Sequence, residues 1–193
     1  LMYIDIESLF VYIMKEKFVK DLPNFIDIDY MKKLVLPMVT EEWLNMRDYL
    51  ALGRFTDVKV IDVAADEYLT SIKEKYPKLN FYLKIMKSST NWAIHVDNSR
   101  ASAINIPISG CDESIKTVFY EGGELVDSTY SNGYHYLSNE YVTYVQGAEP
   151  VYEYACTVPT LINTNVTHSV KYTKGTENLP PRIIASWAYN GSF

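Results

Sequence analysis

The residues with the clearest chemical potential are His95 and Asp97, in the stretch Trp92-Ala93-Ile94-His95-Val96-Asp97-Asn98-Ser99-Arg100. In extended backbone successive side chains alternate between faces. These two therefore project to one side roughly 6 to 7 Å apart, an imidazole and a carboxylate aimed at a common point. That is half of a metal site, and a second imidazole from a distant segment would complete it. The chain has three histidines. His168, in Asn163-Thr164-Asn165-Val166-Thr167-His168-Ser169-Val170, follows a turn-rich segment and opens an alternating one, which is the better context. His135 lies between Tyr134 and Tyr136, just after Asn132-Gly133, and reads as a loop histidine, either solvated or lining a substrate entrance. Two imidazoles and one carboxylate on one face of an octahedron leave three coordination positions open. The plain alternative is a surface His-x-Asp, with Asp97 forming a turn before Asn98 and Ser99, and an unrelated His168.

A fourth residue extends the pattern. Arg182 opens the alternating segment Pro181-Arg182-Ile183-Ile184-Ala185-Ser186-Trp187. The order His95-x-Asp97, a long interval, His168 and then Arg182 resembles the 2-oxoglutarate and Fe(II)-dependent oxygenases, of the aspartyl/asparaginyl or prolyl hydroxylase-like kind. The resemblance spans roughly residues 81–189. It implies a double-stranded β-helix (a cupin-like jelly roll) packed against helices, with Fe(II) held by His95, Asp97 and His168. It also implies 2-oxoglutarate as cosubstrate, oxidatively decarboxylated while dioxygen oxidises a substrate C–H bond, most simply by hydroxylation. Asp97 departs from those aspartyl-hydroxylase-like relatives that lack the carboxylate ligand. Arg182 is the expected anchor for the distal carboxylate of 2-oxoglutarate, because a planar, permanently charged fork recognises a carboxylate bidentately.

Three further residues are weighed beside these. Ser186 shares the strand face of Arg182, and Asn105 has the parity of His95. Each is either a cosubstrate contact or an ordinary structural residue, a small core side chain and a ladder or turn residue respectively. Arg100, five positions after His95, binds substrate, binds the inner carboxylate of the cosubstrate, or pairs with a surface acid. The expected substrate is a small molecule or a polypeptide side chain. Two other functions fit the same residues: a catalytically silent jelly-roll domain that binds a partner or serves as structure, and a cupin metalloenzyme that does not use 2-oxoglutarate.

The elements that must position these groups follow from the period of the sequence. From residue 81 it is two, with short β-branched and aromatic segments at 81–87, 102–108, 116–120, 141–145, 151–157, 160–163, 168–172 and 182–187. Gly-Cys-Asp-Glu, Glu-Gly-Gly-Glu, Ser-Asn-Gly and Gly-Ala-Glu-Pro separate them. About eight strands at this spacing predict a closed or double-sheet antiparallel architecture, with Asn132-Gly133 as a tight turn; the resemblance implies substrate-recognising loops around 112–115 and 120–137 and in the N-terminal segment. Before residue 81 the pattern is helical. Residues 4–20 fit neither period, and 27–37 is a short helix or turn stopped at Pro37. Thr40 is the N-cap of a helix running to about residue 52 with Gly53 as terminator, and a second helix from about Ala65 ends before Pro77. A strand-like 58–63 lies between them. The resemblance implies that these N-terminal helices pack on the outside of one sheet. No linker interrupts the chain, which predicts one domain over 1–193, with 1–80 as helical support and 81–190 as the jelly-roll core.

Composition sets the remaining bounds. A net charge of −6 argues against a dedicated nucleic-acid binder, which normally shows a basic stripe. No apolar run is long enough to span a membrane. The first residues lack a basic region followed by an apolar run, so a cytoplasmic setting is expected. Cys111 and Cys156 are read as buried free thiols in a reducing compartment. The 17 tyrosines cluster in the second half, where most suit half-buried strand surface.

Overall fold

The change of period near residue 79 marks where helices give way to strands, and the two halves meet through one sheet. The computed structural model describes residues 15–46, 58–131, 133–173, 179–191 and 193. In chain order its elements are β1 (Val19–Asp21), α1 (Ile28–Val35), α2 (Glu41–Asn45), β2 (Lys59–Asp62), α3 (Glu67–Lys75), β3 (Leu79–Ser88), β4 (His95–Asp97), β5 (Ser102–Ser109), β6 (Ile115–Val126), β7 (Ser128–Ser131), β8 (Tyr134–Leu137), β9 (Val142–Tyr154), β10 (Thr160–Asn163), β11 (His168–Tyr172) and β12 (Arg182–Tyr189). The protein is mainly β, with several sheets arranged in the manner of a β-sandwich.

Two sheets carry the architecture. The first is six-stranded and antiparallel, in the order β1-β10-β5-β12-β3-β2; in the second, β11, β4, β9 and β6 close on one another. Along the chain, β3, β5, β10 and β12 belong to the first sheet, and β4, β6, β9 and β11 to the second. The chain therefore switches sheet at each step, apart from the β6–β9 ribbon and its inserted β7–β8 hairpin.

The helices cover the outer face of the six-stranded sheet. Met31, Val35, Trp43, Leu69 and Ile72 pack against Leu83, Ile85, Ile104, Ile106, Ile183, Ala185 and Trp187 in one buried cluster. Helix starts follow local rules. Asp27 accepts from the backbone N–H groups of Asp29 and Tyr30, Thr40 Oγ1 from Trp43 and Asp66 from Leu69, each satisfying a donor the first turn leaves unpaired. Because strand faces alternate, the partners of Leu83 and Ile85 on β3, namely Lys84, Met86 and Ser88, turn towards the second sheet. Met86 accordingly packs with Phe119 and Ile184 in a separate cluster between the sheets.

The structure differs from the sequence expectations in four places. The helix after Thr40 ends at Asn45, with Met46 already extended at ψ 155° and its carbonyl accepting from Lys87 Nζ of β3. A tertiary contact thus ends it one turn after its cap, and Gly53 lies outside the described residues. Glu121-Gly122-Gly123-Glu124 and Gly147-Ala148-Glu149-Pro150 do not divide strands. β6 and β9 run through them with Gly122 opposite Ala148 and Glu121 opposite Glu149. Gly123, at φ +81°, lets the ribbon kink where any Cβ would sit 2.7 Å from the Gln146 carbonyl oxygen. The expected loop at 120–137 is the end of β6 plus the β7–β8 hairpin, with Gly133 at φ +80° in its turn. Of the ambiguous start, residues 15–18 are helical and 19–21 form β1 on β10. Cys156 is buried and Cys111 half-buried, both free. No helix among the described residues is long and apolar enough to cross a membrane.

Candidate metal centre

Strand pairing brings the two imidazoles together. In the antiparallel register of β11 on β4, His168 lies directly opposite His95. Such cross-strand neighbours have Cβ atoms about 5 Å apart, and here the ring centroids are separated by 4.4 Å. Asp97, two residues along β4, faces the same way, with Oδ1 3.7 Å from His95 Nε2. All three side chains are buried, and one donor atom from each lies within 4.8 Å of the others. Ligands adjacent around one ion with bonds of about 2.1 Å sit roughly 3 Å apart. The three are a group that could hold a metal ion.

The hydrogen bonds around the group fix its donor atoms. His95 Nδ1 lies 2.8 Å from the Ala93 carbonyl oxygen, and His168 Nδ1 2.8 Å from that of Val166. Each Nδ1–H donates to a carbonyl, which leaves the Nε2 lone pair directed inward, as a metal-binding histidine requires. Burial lowers the basicity of both rings. His95 is brought down to about 4, by desolvation first and by His168 second, against the pull of Asp97. His168 is lowered as well, again chiefly by desolvation. Burial by itself pushes the Asp97 carboxyl up. Arg100, followed by the two imidazoles, overcomes that and holds it below the ordinary carboxylate range. Arg100 Nε donates to Asp97 Oδ2 at 2.7 Å and so reserves Oδ1 for an ion. At neutral pH the set is two neutral imidazoles and one carboxylate, the protonation state in which a divalent cation is bound.

A second feature lies at the far end of β12. Arg182 is only 2% exposed, yet no Asp or Glu among the described residues forms an ion pair with it. Nη1 donates to Thr117 Oγ1 at 3.2 Å and Nη2 reaches Ser88 Oγ at 3.5 Å, while Nε has no partner. The hydroxyl of Tyr154, which is opposite Thr117 in the ladder, is buried beside Thr117 and Asn105. Buried charges are normally paired and buried donors normally bonded. Arg182 Nε is thus a buried donor without a partner in the structure.

The sequence matches no protein-family model and no curated protein. Among solved structures the chain is similar to a hydroquinone 1,2-dioxygenase in complex with Cd2+ and 4-hydroxybenzonitrile, at 9% identity over 59% of each chain and a TM-score of 0.28. It thus spans 59% of that dioxygenase's length. It is also similar to Peruvianin-I, a cysteine peptidase from Thevetia peruviana latex, at 13% identity over 81% of this chain and 78% of the peptidase, TM-score 0.28. Likenesses this faint, to proteins of two unrelated chemistries, carry no functional argument, and the reading below rests on the side chains themselves.

Ser186 sits on the Asp97 side of the triad, away from Arg182, while Asn105 lies between Ser186 and Tyr154. Arg100 Nη1 donates to Ser186 Oγ at 2.8 Å, and Ser186 Oγ donates to Asn105 Oδ1 at 2.9 Å. Four residues along β12 separate Ser186 from Arg182, about 13 Å at the rise of a strand. A contact with the same carboxylate is therefore out of reach. Arg100 pairs with the buried Asp97 rather than with a surface acid. His135 is exposed on β8, on the opposite face from the buried Tyr136, and joins neither the triad nor its surrounding cleft. Sequence reasoning passed over Lys84, Trp92 and Tyr141, which line the cleft above the triad with Arg100 and Val142. Alternation placed Lys84 on one face of its strand, but which face met the second sheet was not readable. A roomier cleft lies elsewhere, among Leu22, Pro23, Phe25, Tyr76 and Tyr189; its one acid, Asp21, is committed to Lys15.

Proposed function

We propose that the protein is an Fe(II)- and 2-oxoglutarate-dependent oxygenase, acting as a hydroxylase on a substrate C–H bond, and that its fold is a double-stranded β-helix in a single domain. Alternation of β3, β4, β5, β6 and then β9, β10, β11, β12 between two facing sheets supports the fold. The observation that carries the function is a buried arginine with no acidic partner in the same interior as a His-Asp-His donor set. A metal centre alone has no use for Arg182, and a silent binding domain has no use for two tautomerically fixed imidazoles facing a carboxylate.

Each residue has a definite task in this reading. His95 Nε2, His168 Nε2 and Asp97 Oδ1 would hold the ion on one face, leaving the opposite face open. Arg182, with Thr117 and Tyr154, would receive the distal carboxylate of the cosubstrate. When bound, iron and 2-oxoglutarate supply oxidative decarboxylation coupled to C–H oxidation. The chain's own contribution is to hold the ligands neutral or singly charged, keep water away from the buried rings, and orient the substrate.

Anaerobic titration tests the reading. Fe(II) followed by 2-oxoglutarate is expected to give the weak visible charge-transfer absorption of a chelated complex, and His168→Ala is expected to abolish it. Uptake of Fe(II) without any cosubstrate effect would instead support a metalloenzyme that does not use 2-oxoglutarate. Uptake of neither by folded protein would leave a silent β domain.

A further inference from the structure

The β7–β8 hairpin has an open edge and an apolar outer face. Its strands pair with each other, Ser128 opposite Leu137 and Tyr130 opposite His135, and among the described residues no strand pairs with the outer edge of β7. In an antiparallel pair every second residue aims its backbone N–H and C=O away from its partner, so that edge offers groups to another strand. Edges that must stay single are commonly guarded by lysine or proline. Ser128–Ser131 holds neither. On the face shared by Tyr130, His135 and Leu137, Tyr130 is 71% and Leu137 65% exposed, and Leu125, just before the hairpin on β6, is 69% exposed. The other face seats the hairpin: Tyr136 packs with Val142 and Tyr144, its ring centroid 5.8 Å from that of Tyr144. Tyr144 is opposite His95 in the β4–β9 ladder, and Val142 lines the cleft that contains the triad. The hairpin therefore stands beside the metal centre.

We infer that the outer edge of β7 docks an extended polypeptide rich in lysine or arginine, and that this is the substrate class of the neighbouring centre. The substrate assignment rests on the oxygenase reading; the docking surface itself does not need it. An open strand edge is complemented by another backbone, which supplies main-chain hydrogen bonds while its alternate side chains meet the apolar face. Charge selects the partner. Residues 117–170 contain no lysine or arginine and six acids. Glu121 is engaged by Lys17 and Glu153 by Lys116. Glu124, Asp127 and Glu140, the acids nearest the hairpin in the chain, are exposed and form no ion pair among the described residues. Such a surface repels nucleic acid and acidic chains and draws basic ones. A second copy of this chain, at a net charge of −6, is disfavoured on the same ground. The exposed ring of Tyr130 adds a face over which an ammonium or guanidinium can sit.

The test titrates three labelled peptides into the full chain and follows fluorescence anisotropy. One alternates lysine with valine, one glutamate with valine, and one lysine with proline, which keeps the charge but cannot donate every ladder bond. The lysine–valine peptide should bind about tenfold or more tighter than either of the others. Tyr130→Lys, which places a guarding lysine on the open edge, should weaken that binding about tenfold or more. Phe81→Lys, at a position 64% exposed on the six-stranded sheet, adds the same charge elsewhere and should leave binding unchanged. Thermal unfolding should show both variants folded. In Mn(II)-loaded protein the valine methyl NMR signals of the bound peptide should broaden relative to the Zn(II)-loaded protein, because the hairpin stands beside the metal centre. Equal binding of the lysine–valine peptide and either comparison, no binding of any, full binding by Tyr130→Lys, loss in Phe81→Lys, or no broadening despite Mn(II) uptake would each overturn the inference. Self-association of the chain that Tyr130→Lys abolishes would also overturn it, since the occupant would then be a second copy. Failure of the Fe(II) and 2-oxoglutarate titration with intact peptide binding would remove the oxygenase reading alone. The reverse result would remove the docking edge alone.

Discussion

Arg182→Met separates an anchor from a structural arginine, because the two roles predict opposite effects on stability. The guanidinium is 2% exposed, has no acidic partner among the described residues and leaves Nε unbonded. Breaking a true buried ion pair costs about 3 to 5 kcal/mol, whereas replacing an uncompensated buried charge with an apolar side chain of similar length is neutral or stabilising. The variant is therefore expected to unfold, without ligands, at the same temperature as the parent or higher. Its loss should appear only when ligand is present. A bidentate charge-assisted contact contributes about 1.5 to 3 kcal/mol, so 2-oxoglutarate affinity should fall roughly ten- to more than hundredfold, with metal affinity little changed. For the parent, 2-oxoglutarate at about 100 times its dissociation constant adds about 2.7 kcal/mol, or roughly 5 to 11 °C in melting temperature for a chain of this size. The same concentration should move the variant only slightly. Anaerobic titrations with Fe(II) and then 2-oxoglutarate, paired with thermal scans, measure both effects. A variant that binds 2-oxoglutarate like the parent, or that is destabilised by several kcal/mol without ligand, would refute the assignment of Arg182 as an anchor.

Three other outcomes follow from the same geometry. His168→Ala should lose Mn(II) or Fe(II) binding by more than about hundredfold, since even a partner behind a ligand commonly contributes ten- to hundredfold; calorimetric titration giving parental affinity would remove His168 from the site. Without metal, stability should decline as pH falls from 6.5 towards 4. Here the unfolded chain binds a proton at His95 that the folded protein refuses, a folded value of about 4 against 6.5, roughly 3 kcal/mol in all and fully present above 6.5. Urea unfolding across this range should show the slope, His168 adding to it in the same direction, and a His95→Gln variant with an undiminished slope would disprove its origin. Gly110→Ala should cost about 1 to 3 kcal/mol and weaken 2-oxoglutarate binding, because Gly110 is at φ +62° and a Cβ there would lie 2.4 Å from the Pro181 carbonyl oxygen, next to Arg182; equal melting temperatures would contradict this.

The parts of the site that were readable from sequence are those set by local geometry. His95 and Asp97 converge because a strand repeats every two residues, a property of the segment alone. His168 was selected because a chain with three histidines offers few partners. What brings it opposite His95 is the register of β11 on β4, which joins residues more than seventy positions apart and leaves no local trace. Lys84 was missed for a related reason. Leu83 and Ile85 alternate with it, but a polar residue on a strand faces either water or a functional interior, and only the position of α1, α2 and α3 over the other face decides which. The uninterrupted β6 and β9 show the converse error. Gly122-Gly123 and Gly147-Ala148, which signal turns in isolation, lie on facing strands with Gly122 opposite Ala148, and the ladder continues through them.

β12 is where stability and chemistry are most closely joined. Its odd positions, Ile183, Ala185 and Trp187, enter the core beneath the helices, and its even positions, Arg182, Ile184 and Ser186, face the interior between the sheets. A register slip of one residue would exchange the two sets, burying a guanidinium in the apolar layer and turning Trp187 into the site. The strand is protected against that slip by pairing on both sides, with β3 and with β5, along most of its length. Arg182 and Ser186 are thereby held about 13 Å apart on one rigid element. The donor triad faces that strand from the second sheet, and the pairing that prevents misfolding also sets the distance between Arg182 and Ser186 at the two ends of the interior.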